Sequence, residues 1–248
     1  MAAAKRLFSI VRSLGPVGAS RYIGVRLLDL AGHRKAKCAG RCAELVDGKV
    51  GIEIGGPSGG FSRSGALPLY RYAARMDNCN YSAETVWEGT IGDETPYAPE
   101  PGSSAGIQYV REATDLSGID DQSYDFLCSS HALEHVANPL KAIEEWKRVL
   151  RPGGVLVLVL PIRQATFDHR RPVTTLEHLI EDYQNGVGED DLTHLDEILE
   201  LHDLELDAGI SDFEAFRQRS LDNQTNRCLH HHVFDEQLVA QIAEHTGL

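Results

Sequence analysis

The chain has 248 residues, of which 42% are hydrophobic, and its formal net charge is −13 at pH 7. This length suits one α/β domain with a sizeable insertion, and the acidic balance argues against a nucleic-acid-binding protein, which needs a basic surface. No apolar run in the sequence is long enough for a membrane span, and five scattered cysteines are typical of a reducing compartment. We therefore expect a cytoplasmic protein.

The N-terminal segment differs in charge from the rest of the chain. Residues 1–41 contain nine basic side chains and a single acidic one, Asp29, together with apolar residues at helical spacing. Such a segment could lie on an anionic membrane surface or act as a transit peptide. We favour a helix packed over the domain edge with its basic face in water, because such helices are common. Residues 1–45 are therefore interpreted as a basic N-terminal helical arm.

A helix over about 34–45 is followed by a first predicted strand, Val50–Ile54. The Gly-rich turn Gly-Gly-Pro-Ser-Gly-Gly comes directly after it, at residues 55–60. Glycine has no Cβ and lets the backbone approach a ligand closely. At the carboxyl end of a parallel strand, such a turn forms one wall of the crevice in which α/β proteins bind nucleotide-like ligands.

The remaining pattern predicts alternating strands and helices. The continuous apolar run 155–160 is typical of a strand that is covered on both faces of a parallel sheet. The other predicted elements are a second strand that ends at Met76 and Asp77, a loop over 95–104, strands at 106–111 and 126–129, and a helix over 139–150. An acidic helix at 193–201 lies in a polar insertion, and a last helix begins near Asp235. The fold class is therefore α/β, with a doubly wound, mostly parallel sheet and a helical insertion after strand five.

Three motifs occur in a characteristic order. They are the Gly-rich turn within 51–61, a strand followed by Leu-Glu-His within 124–136, and a helix, Pro-Gly-Gly and an apolar strand within 146–161. This order resembles the class I S-adenosylmethionine-dependent methyltransferases, in particular the small-molecule group, over roughly residues 50–162. The resemblance implies a Rossmann-like enzyme that uses S-adenosyl-L-methionine. After the N-terminal arm, we therefore expect a cofactor-binding core at 46–162, an insertion or substrate cap at 163–234 and a last core helix at 235–248.

The resemblance also implies two further strands after the last helix, but the sequence stops at Leu248. We therefore expect an incomplete C-terminal end of the sheet, with strand five at an open edge. The N-terminal arm, a second copy in a homodimer or another partner could cover that edge.

Cofactor contacts follow from the same resemblance. Glu53 is expected to order the pocket, and the turn to pass beside the amino-acid end of the cofactor. Pro57 replaces a glycine of the usual pattern, which stiffens the turn and removes one backbone donor. Asp77 is expected to hold the ribose hydroxyls, with a simple turn residue as the alternative. The full expected set is Glu53, Gly55, Gly56, Pro57, Gly59, Asp77, Ala113 and Thr114 beside the adenine, and Ser129 beside the methionine part.

Catalysis of methyl transfer needs mainly proximity and alignment. A hydroxyl acceptor also needs a general base, usually histidine near neutral pH. The candidates are His131, directly after strand four, and His169 in the insertion. His131 and His135 are four residues apart and could chelate a metal, but two ligands do not make a site. No metal site is therefore predicted.

The insertion supplies candidate substrate contacts. The segment 166–172 places an aspartate, a histidine and two arginines just after strand five, where loops carry specificity. Arg170 and Arg171 are expected to clamp a carboxylate or phosphate, with His231 nearby. An alternative of equal weight is that Asp168 pairs with an arginine and only fixes the loop. The acidic run 189–194 could bind a cation with His231 or His169, although such runs are more often solvated helix starts.

The sequence thus predicts methyl transfer from S-adenosyl-L-methionine to a small polar acceptor, such as a hydroxyl of a sugar or an acidic metabolite, with no nucleic-acid partner. Two alternatives stay open. One is a non-catalytic protein that binds a ligand or partner on the same fold. The other is a membrane-surface methyltransferase of lipids or glycolipids that uses the basic arm.

Overall fold

The computed structural model describes residues 35–85, 89–207, 210 and 212–248. These residues form two compact units. We call residues 35–133 with 139–160 the α/β unit, and residues 134–138 with 161–248 the helical unit. Most of the expected basic arm, residues 1–34, lies outside the described residues. Within the described ranges, no helix combines the length and the apolar character needed to cross a membrane.

A six-stranded sheet is the centre of the α/β unit. Its strands are β1 Val50–Ile54, β2 Arg75–Asn80, β5 Thr95–Tyr97, β6 Gly106–Val110, β7 Tyr124–Ser130 and β8 Leu150–Val159, and a separate short pair consists of β3 Glu84–Thr85 and β4 Gly89–Thr90. The order in the sheet is β5-β6-β2-β1-β7-β8. All neighbours are parallel except β5 and β6. The predicted α/β class with a mostly parallel sheet is confirmed, and β8 lies at one sheet edge.

The described part of this unit contains the α-helices α1 Ala39–Val46, α2 Leu69–Tyr72 and α3 Pro139–Val149, and a short 3-10 helix, Gly59–Phe61. Proline suits the first position of α3, because the missing N–H would have no intrahelical acceptor there. Its apolar side chains recur at helical spacing, and Trp146 is fully buried. The helix provides the crossover connection that the parallel neighbours β7 and β8 require.

Close packing explains one glycine of β1. A Cβ on Gly51 would lie 2.3 Å from Cζ of Phe126, which is fully buried on the neighbouring strand β7. Any larger residue would therefore displace a ring in the centre of the core.

The helical unit contains α4 Leu176–Asn185, α5 Leu195–Leu201, α6 Phe213–Leu221, α7 Asn223–Asn226 and α8 Glu236–Thr246. The side chain of Thr175 accepts a hydrogen bond from the amide of His178 and begins α4, and Gly186 ends it in the left-handed conformation with φ of 64°. Asp235 caps α8 in the same way as Thr175 caps α4. The last helix therefore begins where the sequence predicted it.

Four element boundaries differ from the predictions. The first helix begins at Ala39 rather than near residue 34, and the expected loop 95–104 contains the edge strand β5. The second strand does not end at Asp77 but continues to Asn80, because residues 78–80 pair with β6. The fifth strand begins at Leu150, because that residue already pairs with Tyr124 before a bulge interrupts the ladder.

Candidate functional site

Glu53 organises the Gly-rich turn after β1. Its side chain is fully buried. Its carboxylate accepts hydrogen bonds from the Tyr70 hydroxyl at 2.5 Å and from the Ser58 amide at 3.0 Å. Burial and the adjacent Glu53 carboxylate raise the pKa of Tyr70 far above its ordinary value, so the phenol keeps its proton and donates. The buried acid thus fixes the path of residues 55–58.

Two asparagines of β2 hold the same turn from the other side. Asn78 accepts from the amide of Gly56 at 3.1 Å and donates to its carbonyl at 3.0 Å. Asn80 donates to the same carbonyl at 3.1 Å. A Cβ on Gly56 would lie 2.3 Å from Cδ of Glu53, so only glycine fits between the acid and the asparagines. Pro57 follows through a cis peptide bond.

The turn lies at the switch point of the sheet. From β1 the chain proceeds to β2 on one side, and β7 later joins on the other side. Gly55 has φ of +82°, and a Cβ on it would lie 2.9 Å from Cβ of Ala132, in the loop after β7. In open α/β sheets, ligands bind outside the carboxyl ends of the strands at this point.

The predicted residues of β7 lie at this edge in different environments. Ser129 is fully buried and its hydroxyl donates to the Ile54 carbonyl at 3.1 Å, so it joins β1 to β7. His131 is exposed, has φ of 54°, and its amide donates to the carbonyl of Val159 at 2.9 Å. A non-glycine residue in this conformation is uncommon and is found disproportionately at functional positions.

Asp77 is placed differently from the expectation. It is the third residue of β2, pairs with Ile52 and is 1% exposed. One carboxylate oxygen accepts from the Ile107 amide at 3.0 Å and the other from the Tyr124 hydroxyl at 2.8 Å. The strand continues beyond Asp77, so this carboxylate lies within the sheet rather than at its carboxyl end.

The segment that was expected beside the adenine follows the carboxyl end of β6. Ala113 and Thr114 are half-buried there, within a bridge between Glu112 and Asp115. The carbonyl of Ala113 accepts from the indole N–H of Trp146 at 3.1 Å. The turn, His131 and this segment thus all lie at the carboxyl ends of their strands.

In the helical unit, Arg171 is an internal residue. It is 1% exposed and donates to Asp168 at 3.1 Å, to Glu197 at 2.8 Å, and to the carbonyls of His230 and His231 at 2.7 and 3.1 Å. This arrangement corresponds to the alternative in which Asp168 pairs with an arginine and fixes the loop.

Arg170 and His169 share one acid. Each lies 2.9 Å from Oδ2 of Asp203. The side chain of Arg170 is 46% exposed, whereas that of His169 is 14% exposed. His231 is buried, and its Nε2 lies 3.0 Å from the side-chain Nδ2 of Asn223. Burial lowers the pKa of His231 to about 3, so it is a neutral residue of the interior.

The structure also brings together four side chains that the sequence interpretation did not connect. We call them the histidine cluster, and they are His178, Asp182, His194 and His232. One potential ligand atom from each lies within 4.8 Å of the others. Burial lowers the pKa of His194, and lowers that of His232 strongly, so these rings are neutral near pH 7. The sequence offered two partial signals: His178 and Asp182 are four residues apart on α4, and His194 ends the acidic run that was considered as a cation site with His231 or His169.

A smaller group consists of Glu134, His135 and His230, whose potential ligand atoms also lie within 4.8 Å of one another. Nδ1 of His135 lies 3.0 Å from the carbonyl of Leu229, and Nδ1 of His230 is hydrogen-bonded to Asp168. Burial lowers the pKa of His135 to about 4. His131 does not take part in this group, so the pair of His131 and His135 weighed as a chelate is not the one that the structure forms.

The mostly parallel sheet with a glycine-rich turn at its switch point defines the α/β unit as a domain of the nucleotide-ligand-binding type. Residues 53–158 match the family model described as "Methyltransferase domain". The chain is 30% identical over 111 residues to an uncharacterized methyltransferase of Mycobacterium sp. (strain JLS), an alignment that covers 45% of this chain and 38% of that protein. It is 42% identical over 53 residues to a demethylmenaquinone methyltransferase of Clavibacter sepedonicus, covering 21% of each.

Among solved structures, the chain aligns with the trans-methyltransferase CalH in complex with SAH. The identity is 12%, the alignment covers 61% of this chain and 41% of that one, and the TM-score is 0.36. This likeness supports no residue correspondence. The sequence matches nevertheless confirm the predicted family for the matched region: residues 53–158 are a class I methyltransferase domain. The chain spans 38% of the length of the mycobacterial relative.

Proposed function

We propose that the protein transfers a methyl group from S-adenosyl-L-methionine to a small polar acceptor. The observation that carries this proposal is the coincidence of the family match at residues 53–158 with the turn that Glu53 holds at the switch point of the sheet.

The residues of the turn suit the amino-acid end of this cofactor. Gly55 and Gly56 leave no room for a Cβ, whereas a Cβ on Gly59 would meet nothing within 4 Å. The backbone can therefore approach a ligand on the open side while Glu53 supports it from the buried side. In this proposal Pro57 stiffens the turn, Ser129 fixes the adjoining strand end, and Ala113 and Thr114 lie along the adenine.

In this proposal, Asp77 stabilises the sheet and does not bind the ribose. Because Ile107 and Tyr124 already donate to both of its carboxylate oxygens, a ribose hydroxyl would have to displace one of them. The ribose contacts are assigned instead to the residues that follow β2 at its carboxyl end, beginning with Tyr81.

When bound, the cofactor supplies a sulfonium methyl group; the chain supplies position and, for a hydroxyl acceptor, a base. His131 is the first choice for the base, because it is exposed at the same sheet edge as the Gly-rich turn. His169 is the second choice and is oriented by Asp203. Because His169 lies in the helical unit, substituting it tests whether that unit takes part in the reaction.

We infer the class of the methyl acceptor from the positive charge of Arg170. Arg170 is the half-exposed cation of the loop after β8, and its guanidinium presents donors that suit a carboxylate or phosphate. An acidic metabolite or a phosphorylated sugar with a free hydroxyl is therefore the acceptor that we propose, whereas buried Arg171 and His231 support the loop from within.

Calorimetric titration with S-adenosylhomocysteine tests the cofactor site. Gly55→Ala should weaken binding at least about tenfold, a difference of about 1.4 kcal/mol, because the new Cβ collides with Ala132. Gly48→Ala is the matched control, since Gly48 also has positive φ, at +67°, but open space around its Cβ. Equal affinity in both variants, or no binding by the folded wild-type chain, would contradict the proposal.

A further inference from the structure

The histidine cluster has the dimensions of a metal centre. Nε2 of His178 lies 2.9 Å from Nε2 of His194 and 3.3 Å from Oδ2 of Asp182. Ligands of a tetrahedral zinc ion at 2.0–2.1 Å are separated by about 3.3 Å from one another. The His232 ring adjoins both other rings, with centroid distances of 5.9 Å to His178 and 5.5 Å to His194. A small cation would therefore need only a small adjustment of these four side chains.

Two buried atoms of the cluster lack a hydrogen-bond partner. Oδ2 of Asp182 and Nδ1 of His232 are shielded from solvent, and neither forms a hydrogen bond with any described residue. Buried polar atoms normally have partners, because leaving them unpaired is costly. Oδ2 of Asp182 has Nε2 of His178 as a neighbour at 3.3 Å, and a cation bound in the cluster would satisfy both this oxygen and Nδ1 of His232.

The hydrogen bonding of His232 leaves one of its ring nitrogens available to a metal ion. Its Nε2 lies 3.1 Å from the carbonyl of Ala137, and a carbonyl can only accept, so Nε2 carries the hydrogen. Nε2 also lies 3.7 Å from Oδ2 of Asp182, on the side of the cluster. In the neutral ring the lone pair is on Nδ1, which has no hydrogen-bond partner among the described residues, so a metal ion would bind the ring through Nδ1. Metal-binding histidines commonly donate their second ring N–H to a carbonyl or carboxylate in this way.

The identities of the four side chains narrow the choice of ion. Three imidazoles and one carboxylate are typical ligands of Zn²⁺ and of related divalent transition metals, whereas Ca²⁺ and Mg²⁺ prefer oxygen. The side chain of His178 is 34% exposed, which leaves a route for an ion to enter.

We propose that His178, Asp182, His194 and His232 form a zinc site that ties together three segments of the helical unit. The first two ligands come from α4, His194 directly precedes α5, and His232 lies between α7 and α8. Four protein ligands fill a tetrahedral shell, so the site has a structural role rather than a catalytic one with an open position. The group of Glu134, His135 and His230 offers three donors only and is not included.

The test uses the full-length protein, stripped of metal with a chelator and titrated with Zn²⁺ in competition with a chromogenic chelator. We expect one tightly bound ion per chain and a rise in thermal stability on binding. With Co²⁺ as the probe, we expect the intense visible absorption of a tetrahedral nitrogen- and oxygen-ligated ion. Failure of the folded wild-type chain to bind either ion would overturn the proposal.

Variants locate the ion. Asp182→Asn conserves the side-chain size, and His178→Ala combined with His194→Ala removes two ligands; each should weaken Zn²⁺ binding by at least roughly a hundredfold. His245→Ala in α8 is the control for an exposed histidine, and Glu134→Gln combined with His135→Ala tests the smaller group. If the double histidine variant does not fold, the cobalt spectrum and zinc affinity of Asp182→Asn decide the matter. Unchanged affinity in Asp182→Asn, or loss of the ion only in the Glu134 and His135 variant, would refute the site.

Discussion

The hydroxyl of Tyr70 is hydrogen-bonded to both Glu53 and Ser58, the two residues that fix the path of the Gly-rich turn. It donates to the buried carboxylate of Glu53 and accepts from the amide of Ser58 at 2.8 Å. Tyr70 lies in the short helix α2, so the turn depends on a residue from outside the motif. A binding turn that is fixed in this way loses little conformational freedom when a ligand binds.

This relationship predicts the effect of Tyr70→Phe. The variant leaves the Glu53 carboxylate with the Ser58 amide, but without its phenolic donor. We expect the free energy of unfolding to fall by about 1.5–3 kcal/mol, the usual contribution of a hydrogen bond to a charged group. Affinity for S-adenosylhomocysteine should fall as well, because the turn is less constrained.

Chemical denaturation and calorimetry measure the two effects. Tyr72→Phe, at the other end of α2, is the matched control and should change neither quantity appreciably. A Tyr70→Phe protein with wild-type stability and wild-type affinity would show that the phenol does not support the turn.

The local motifs of the α/β unit could be predicted from the sequence, and its polar interior could not. The run 155–160 is continuously apolar, and Val50–Ile54 is a short β-branched segment directly before the Gly-rich turn, so both strands are identified from local sequence. The end of β2 contains Asn78 and Asn80, which are buried but polar, and a hydropathy pattern therefore predicts a loop there. Their burial is explained by hydrogen bonds to the backbone of Gly56, to each other and from Asn78 to Gln108, all made after the chain has folded.

The helical unit was less predictable because its interactions are long-range. Sequence alone ranks Arg170 and Arg171 equally, yet Arg171 is buried by contacts with residues 26 to 60 positions away. The histidine cluster likewise combines α4 with His194 and His232, and no local pattern connects these residues. The sequence shows the helical spacing of His178 and Asp182 and the acidic run that ends at His194, but it pairs that run with His231 or His169 rather than with α4.

The two arginines should therefore respond differently to substitution. Arg171→Ala removes one of the two buried partners of the Asp168 carboxylate, leaving His230, and takes the guanidinium away from the carbonyls of His230 and His231. We expect it to destabilise the protein by about 3–5 kcal/mol. Arg170→Ala should cost less than about 1 kcal/mol, because the side chain is 46% exposed and its ion pair is screened by solvent.

Thermal and chemical denaturation compare these variants. Arg170→Ala should instead raise the KM for an anionic methyl acceptor, measured with labelled cofactor on a panel of phosphorylated sugars and hydroxy acids. Arg217→Ala, an arginine with a similar exposed fraction of 44%, is the control for loss of charge. Equal stability losses at positions 170 and 171 would contradict the arrangement described above.

The stability of the α/β unit should depend on pH through Glu145. Hydrogen bonds from Arg148 lower the pKa of Glu145, and the amide of Leu116 also donates to it, at 2.9 Å, although partial burial opposes the shift. Because the pKa of the folded state is below that of the unfolded state, the carboxylate contributes stability above the unfolded value. That contribution is lost as the pH falls through the folded pKa.

The measurable consequence is a pH-dependent difference between the wild type and Glu145→Gln. At pH 7 the variant should be less stable by about 1–2 kcal/mol, and the difference should shrink below about pH 4.3, the ordinary value for glutamate. Glu144→Gln, on the exposed side of α3, should show little difference at any pH. A constant difference from pH 3 to pH 7 would mean that ionisation of Glu145 has no part in its effect.

The Asp77→Asn variant tests whether Asp77 stabilises the sheet or binds the ribose of the cofactor. The amide replaces one acceptor oxygen with a donor, which faces either the Ile107 amide or the Tyr124 hydroxyl. We expect the free energy of unfolding to fall by about 1–3 kcal/mol. The dissociation constant of S-adenosylhomocysteine for the folded variant should change by less than about threefold, or about 0.7 kcal/mol.

Tyr124→Phe is the control, because it removes the partner hydroxyl and leaves Asp77 in place. It should reproduce the stability loss and also leave the affinity unchanged. If Asp77→Asn instead weakens binding by more than about tenfold while Tyr124→Phe does not, the carboxylate reaches the ribose, and the ribose contacts belong to Asp77 rather than to the residues after β2.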